Sequence, residues 1–130
     1  MKHRRLIRAL LLIAIGAVAV MIFLFSAQTG EESQATSDQL TEAVARVVVR
    51  DFDKLTPAQR QPHLNRLGLS IRKLAHFSEF ALLSALLALF FHLGGHRPLL
   101  PAWGIATLYA CTDEAHQMFV AGRGPSPIDV

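Results

Sequence analysis

Long apolar runs alternate with short polar breaks along this chain, a pattern that predicts helices able to cross a bilayer. Leu6 to Phe25 is apolar except for Arg8 and Gly16, and its length suits a hydrocarbon core of ~30 Å. A second run, Leu74 to Leu93, is dense in Leu, Ala and Phe, and a third extends from about Pro98 to Val120. Between them, Gly94-Gly95-His96-Arg97-Pro98 reads as a tight turn, with Pro101 suited to a first helical turn. Ala121-Gly122-Arg123-Gly124-Pro125-Ser126-Pro127 cannot continue a helix.

The segment between the first two runs is different in kind. Ser26 to Ser33 is polar and turn-rich and is expected to be a loop, after which Ser37 or Asp38 offers a helix cap. Leu40, Ala43, Val44, Val47, Val48, Phe52 and Leu55 recur at helical spacing, with Arg46, Arg50 and Asp53 mainly opposite. This predicts an amphipathic helix over about 38–55, either on the membrane surface or packed with one solvated face. Thr56-Pro57 and Gln61-Pro62 are expected to interrupt the chain before the second run. The expected fold is all-α. It is a polytopic membrane helix bundle with spans at about 6–25, 74–93 and 98–120, plus an amphipathic extramembrane or interfacial helix.

Composition strengthens the membrane reading. The 130 residues allow one domain, 52% are hydrophobic, and the mean hydropathy is +0.34. A net charge of +3 is compatible with nucleic-acid binding, but its location argues otherwise. Lys2, Arg4, Arg5 and Arg8 crowd the N-terminus without an acidic residue, which predicts a cytoplasmic N-terminus. No RNA-binding aromatic motif or zinc-finger spacing accompanies them, so no nucleic-acid partner is expected. The first run exceeds the ~7–15 residues of a signal-peptide core and lacks a clear Ala-x-Ala site, favouring a retained span. That orientation puts Ser26–Arg72 and the C-terminus outside and Gly94–Arg97 inside. Arg66, Arg72 and Lys73 then sit on the unexpected side, and for Lys73 a functional reason is available. Cys111 is the single cysteine, so no intrachain disulfide forms; its apolar surroundings make it a packing residue.

Candidate chemistry lies at the ends of the apolar runs. Lys73, His76 and Glu79 open the second, and Asp113, Glu114, His116 and Gln117 close the third. Such groups are costly in hydrocarbon and mark a polar site by default. Glu79 lies sixteen residues before Gly95 and Asp113 eighteen after it; at ~1.5 Å per residue they differ by ~3 Å in depth. Lys73, His76 and Glu79 share a broad face. Asp113, His116 and Gln117 share a face of the partner, with Glu114 turned roughly 100° away.

Several chemistries fit this set. Lys73 and Arg123 suit an anionic group, Arg123 by bidentate bonding. His76 with Glu79 or Asp113 suits acid–base catalysis. A structural reading pairs Glu79 and Asp113 with Lys73 and Arg123 only to offset charge. His76-x-x-Glu79 and Asp113-x-x-His116 resemble inward metal-ligand pairs of bundles, but Lys73 spoils the charge balance. No metal or other cofactor is assigned. Asp113-Glu114-Ala115-His116 spells a helicase box without the phosphate loop it needs, which makes it a coincidence.

Together these blocks resemble the VanZ-like family. The resemblance begins at Phe25-Ser26-Ala27-Gln28-Thr29-Gly30, with Ser33 and Ser37 downstream. It continues through Arg72-Lys73-Leu74-Ala75-His76-Phe77-Ser78-Glu79-Phe80, Tyr109 and Asp113 to Phe119, and ends in Gly122-Arg123-Gly124-Pro125-Ser126 and Asp129. It implies a single membrane domain over 1–130 in a bacterial cell envelope and a link to glycopeptide (teicoplanin) resistance. It also implies that the domain is C-terminally incomplete, because the family continues into a fourth membrane helix. The preferred expectation is recognition of an anionic lipid-linked head group at the outer leaflet. Membrane lipids and a lipid-linked cell-wall precursor would be the partners. Lys73, His76, Glu79, Asp113, Glu114, Gln117 and Arg123 would form the site. A membrane enzyme using His76, Glu79 or Asp113 is the rival, and a metal-binding or structural bundle the third reading.

Overall fold

A computed structural model describes residues 2–121 of the chain. Every regular element among them is helical: α1 (Lys2–Ser26), α2 (Gly30–Val48), a short 3-10 turn (Phe52–Lys54), α3 (Pro57–Leu93) and α4 (Leu99–Gln117). Helix α3 packs against α1, α2 and α4, and α1 also meets α4.

The first departure from expectation is the start of α2. It begins at Gly30 rather than near Ser37 or Asp38, because Thr29 and Glu32 form a capping box. The Thr29 side chain accepts from the Glu32 amide at 3.2 Å, and the Glu32 carboxylate accepts from the Thr29 amide at 2.9 Å. The Thr29 amide first, and then the Thr29 hydroxyl, which also donates to this carboxylate, hold the Glu32 carboxyl below its ordinary pKa. Ser37 bonds back to the Ser33 carbonyl and lies inside the helix. The helix also stops at Val48, so residues 49–55 turn instead of extending it. Phe52 is buried there beneath the Arg60 guanidinium, which donates to the Asp53 and Leu55 carbonyls.

The second departure is larger. Pro62 does not break the chain: α3 runs unbroken from Pro57 to Leu93, capped by Thr56 and Gln59. Pro62 sits near the amino end, where its missing N–H removes one intrahelical bond, to the carbonyl of the exposed Ala58. Water can satisfy that carbonyl. At ~1.5 Å per residue, α3 is ~55 Å long, far more than hydrocarbon requires. Its polar first half, up to Arg72, is the part against which α2 lies.

The apolar second half of α3 builds the core with α1 and α4. Ile22, Leu83, Leu87, Ala102 and Ala106 are buried together, flanked by Ile15, Val18, Phe80 and Phe91. Ala102 and Ala106, spaced by four, let α4 approach closely, as small residues do between membrane helices. The Tyr109 hydroxyl donates to the Ala19 carbonyl at 2.7 Å and ties α4 to the middle of α1.

Two helices, α1 from His3 onward and α3, are long and apolar enough to cross a membrane. Helix α4 does not meet that criterion, because Asp113, Glu114, His116 and Gln117 occupy its last turns. Replacing Ala106, 6% exposed, by Leu overfills the α1–α3–α4 contact. It should lower unfolding stability in detergent by about 1–3 kcal/mol. Leu108→Ala, at a 69% exposed position, should have little effect in the same measurement.

Candidate functional site

The site lies where α1, α3 and α4 reach the same level. Counting outward from the turn, His76 is nineteen residues before Gly95 and Glu114 nineteen after it. Antiparallel helices of equal rise must bring such positions together. They do: His76 Nε2 lies 3.8 Å from a Glu114 carboxylate oxygen, both side chains partly shielded. The His76 ring also meets Phe80 edge-on at 4.9 Å, and Phe80 lies 6.1 Å from Tyr109.

This corrects the sequence-based pairing. Glu114, expected to turn away, faces α3; Asp113, expected to face His76, is tied to α1. The Asp113 carboxylate is 5% exposed and accepts from Gln117 Nε2 at 2.9 Å. The same amide nitrogen donates to Ser26 Oγ at 2.7 Å, and Ser26 is 3% exposed. His116 stacks against Phe23 of α1 at 4.9 Å, with its Nδ1 buried and unbonded among the described residues. A two-helix argument could not anticipate this, since it left α1 out. Helix α4 divides its polar end between two neighbours, and a 100° step separates the residues serving each.

The remaining candidates stand around this pair. Lys73 is exposed about one turn before His76 on α3, and Glu79 is half-buried about one turn after it. Lys73, Glu79 and Glu114 are each engaged in further interactions within the fold. Arg123 and the Gly122–Pro125 loop lie outside the described residues. No group of three His, Cys, Asp or Glu among the described residues could hold a metal. His76 with Glu79, and Asp113 with His116, therefore do not converge as a ligand set.

Ser26, Phe23 and Tyr109 had been given no role from the sequence. Ser26 carried a signal nonetheless, as the first polar residue after the first apolar run. Beyond it, the Gly30 amide donates to the Ala121 carbonyl at 3.1 Å, closing the chain after α4 onto the start of α2. The result is a shielded carboxylate–amide–hydroxyl tie on one side of α4. A more accessible imidazole–carboxylate pair, His76 with Glu114, lies on the other.

Comparison with known families matches residues 11–130 to the family described as VanZ/LLP1. Comparisons with curated proteins and with solved structures find no match.

The Gln117 amide bridges two buried groups, so removing it leaves Asp113 short of a donor. A hydrogen bond to a charged group contributes ~1.5–3 kcal/mol, and a neutral one about 1 kcal/mol. Gln117→Leu, which loses both bonds, should therefore destabilise the protein in detergent by about 3 kcal/mol, more than Ser26→Ala. Unfolding followed by circular dichroism checks the order; a larger loss for Ser26→Ala would show that Asp113 is not the main partner.

Proposed function

This chain belongs to the VanZ/LLP1 family, and from that premise we propose that it recognises an anionic lipid-linked head group at the membrane's outer face. One observation carries the reading: His76 of α3 meets Glu114 of α4 where the apolar part of α3 begins, three residues after the exposed Lys73. A cation near the hydrocarbon boundary, beside an imidazole and a carboxylate that orient each other, suits a phosphate or carboxylate attached to a lipid tail. Asp113 and Gln117 fix the end of α4, and Arg123 supplies a second cation, suited to bidentate bonding. Through such binding the protein alters access to cell-wall precursors, which is how the resemblance to glycopeptide-resistance proteins enters.

The topology belongs to this proposal. Helix α4 is ~28 Å long at ~1.5 Å per residue, and Leu99, Leu100, Trp103, Ile105 and Leu108 are exposed along it. That supports a third span despite its polar end. The basic residues before α1 favour a cytoplasmic N-terminus, which puts the site outside.

A second reading rests on the His76–Glu114 contact itself, an imidazole beside a carboxylate and open enough to meet substrate. In an enzyme acting on the same lipid phosphate or glycolipid, His76 would move a proton and Glu114 would orient it.

Two experiments test these readings. Cysteine labelling in intact cells, in a Cys111→Ser background, should modify Ser33→Cys from outside and leave Gly95→Cys protected. Outside labelling of Gly95→Cys would reverse the orientation. For binding, vesicles carrying polyprenyl phosphate should retain the purified protein, and Lys73→Met should weaken retention roughly tenfold or more. Lys73→Arg should keep more of it, because the charge persists. His76→Gln should be mild for a binder, yet abolish turnover of the same lipid if the protein is an enzyme. Wild-type retention in all three variants would end the head-group reading.

A further inference from the structure

A polar groove of ≈490 Å³ runs between α2 and the first half of α3, within the ~300–1,000 Å³ typical of small-molecule sites. Resting on the head-group reading above, we infer that this groove holds the sugar rings of that head group. Its lining mixes donors and acceptors: Gln34, Ser37 and Asp38 from α2, and Gln61, Asn65 and Arg72 from α3. Among the described residues, Arg72 is its one cation against the carboxylates of Asp38 and Glu42, so the groove does not select an anion. It is built for a ligand that both donates and accepts many neutral hydrogen bonds. A sugar ring does both. The aliphatic faces of Leu64 and Leu69, in the same wall, suit its C–H surfaces.

Three features make this more than a seam between helices. Gln61 donates to Asn65 at 2.9 Å, and Arg72 Nε donates to the Gly68 carbonyl at 3.3 Å. The α3 wall is thereby held in place before any ligand arrives, which reduces the ordering cost of binding. Beside Gly68, the Thr41 hydroxyl is buried and has no hydrogen-bond partner among the described residues. A Cβ at Gly68 would lie 3.6 Å from it, so the unbonded hydroxyl lies directly behind the glycine that lines the groove. Finally, the groove leads to the site. Arg72 lies one turn before His76, and Gln61 lies eleven residues before Arg72, about 16 Å along the helix. A head group with its phosphate beside Lys73 would lay its sugars along this length.

Two probes test the inference with the purified full chain in nanodiscs: polyprenyl phosphate, and a polyprenyl-diphosphate-linked disaccharide. Wild type should bind the disaccharide probe more tightly. Gln34→Ala with Asn65→Ala should weaken that probe by roughly tenfold or more, since two hydrogen-bonding groups are lost. Binding of the sugar-free probe should stay unchanged, which also shows that the variant is folded. Lys73→Met should weaken both probes. Equal wild-type affinity for the two probes, or equal effects of the double variant on both, overturns the groove while leaving the head-group site standing. A wild type that binds neither probe overturns both.

Discussion

Helix α3 is nearly twice as long as hydrocarbon is thick, and the rest of the molecule is arranged along it. Its apolar half, from Leu74 to Leu93, is clasped by α1 and α4; its polar half, Pro57 to Arg72, is covered by α2. A continuous helix transmits position rigidly, so the residues at the change of composition have a fixed relation to both halves. Lys73 and His76 stand at that change. The groups that a membrane penalises most are therefore placed where the penalty falls off with depth. They also sit at the foot of the groove formed with α2.

The carboxyl end of α3 shows the same logic with the opposite chemistry. Arg8 interrupts the first apolar run, and its guanidinium lies 4.6 Å from the centre of the Phe90 ring. A Cβ at Gly94 would lie 3.3 Å from that guanidinium, so the small residue admits the cation to the last turn of α3. There it meets both an aromatic face and the negative end of the helix dipole. Gly95, at φ +81, then makes the turn that a side chain would strain. Arg8 is thus accounted for by packing, whereas the His76–Glu114 pair, at the other end of the apolar half of α3, has partners but keeps an accessible face.

Much of this was legible in the sequence because apolar run length and turn residues are strong signals. The all-helical class, the α3–α4 turn at Gly94–Pro98 and the segregation of polar residues to one end all follow from them. What was not legible has identifiable causes. Pro62 was read as an interruption because proline is costly inside a helix, but near the amino end it forfeits only one bond. The start of α2 was misplaced because Thr29-x-x-Glu32 was read as loop composition rather than as a capping box. The partners of Asp113 and Glu114 were exchanged because facing positions were judged from two helices, while the structure packs three. Depth came out well and rotation did not. Depth depends on rise per residue alone, whereas rotation depends on which neighbours compete for each face.

That competition explains why α4 carries so many polar residues in its last turns. A single polar site on a hairpin would need one stripe, with positions three or four apart. Here Asp113 and Gln117 form one stripe, whose Gln117 amide donates to both Asp113 and Ser26, while Glu114 belongs to another and meets His76. The first stripe holds the ends of α1 and α4 together and leaves no carboxylate exposed. The second faces outward enough for a ligand to reach it. Removing the first would let α4 rotate and move Glu114 away from His76, so the buried tie positions the accessible pair without touching anything that binds there. Residues that hold and residues left accessible are interleaved at adjacent positions, as a helix wedged between two neighbours requires.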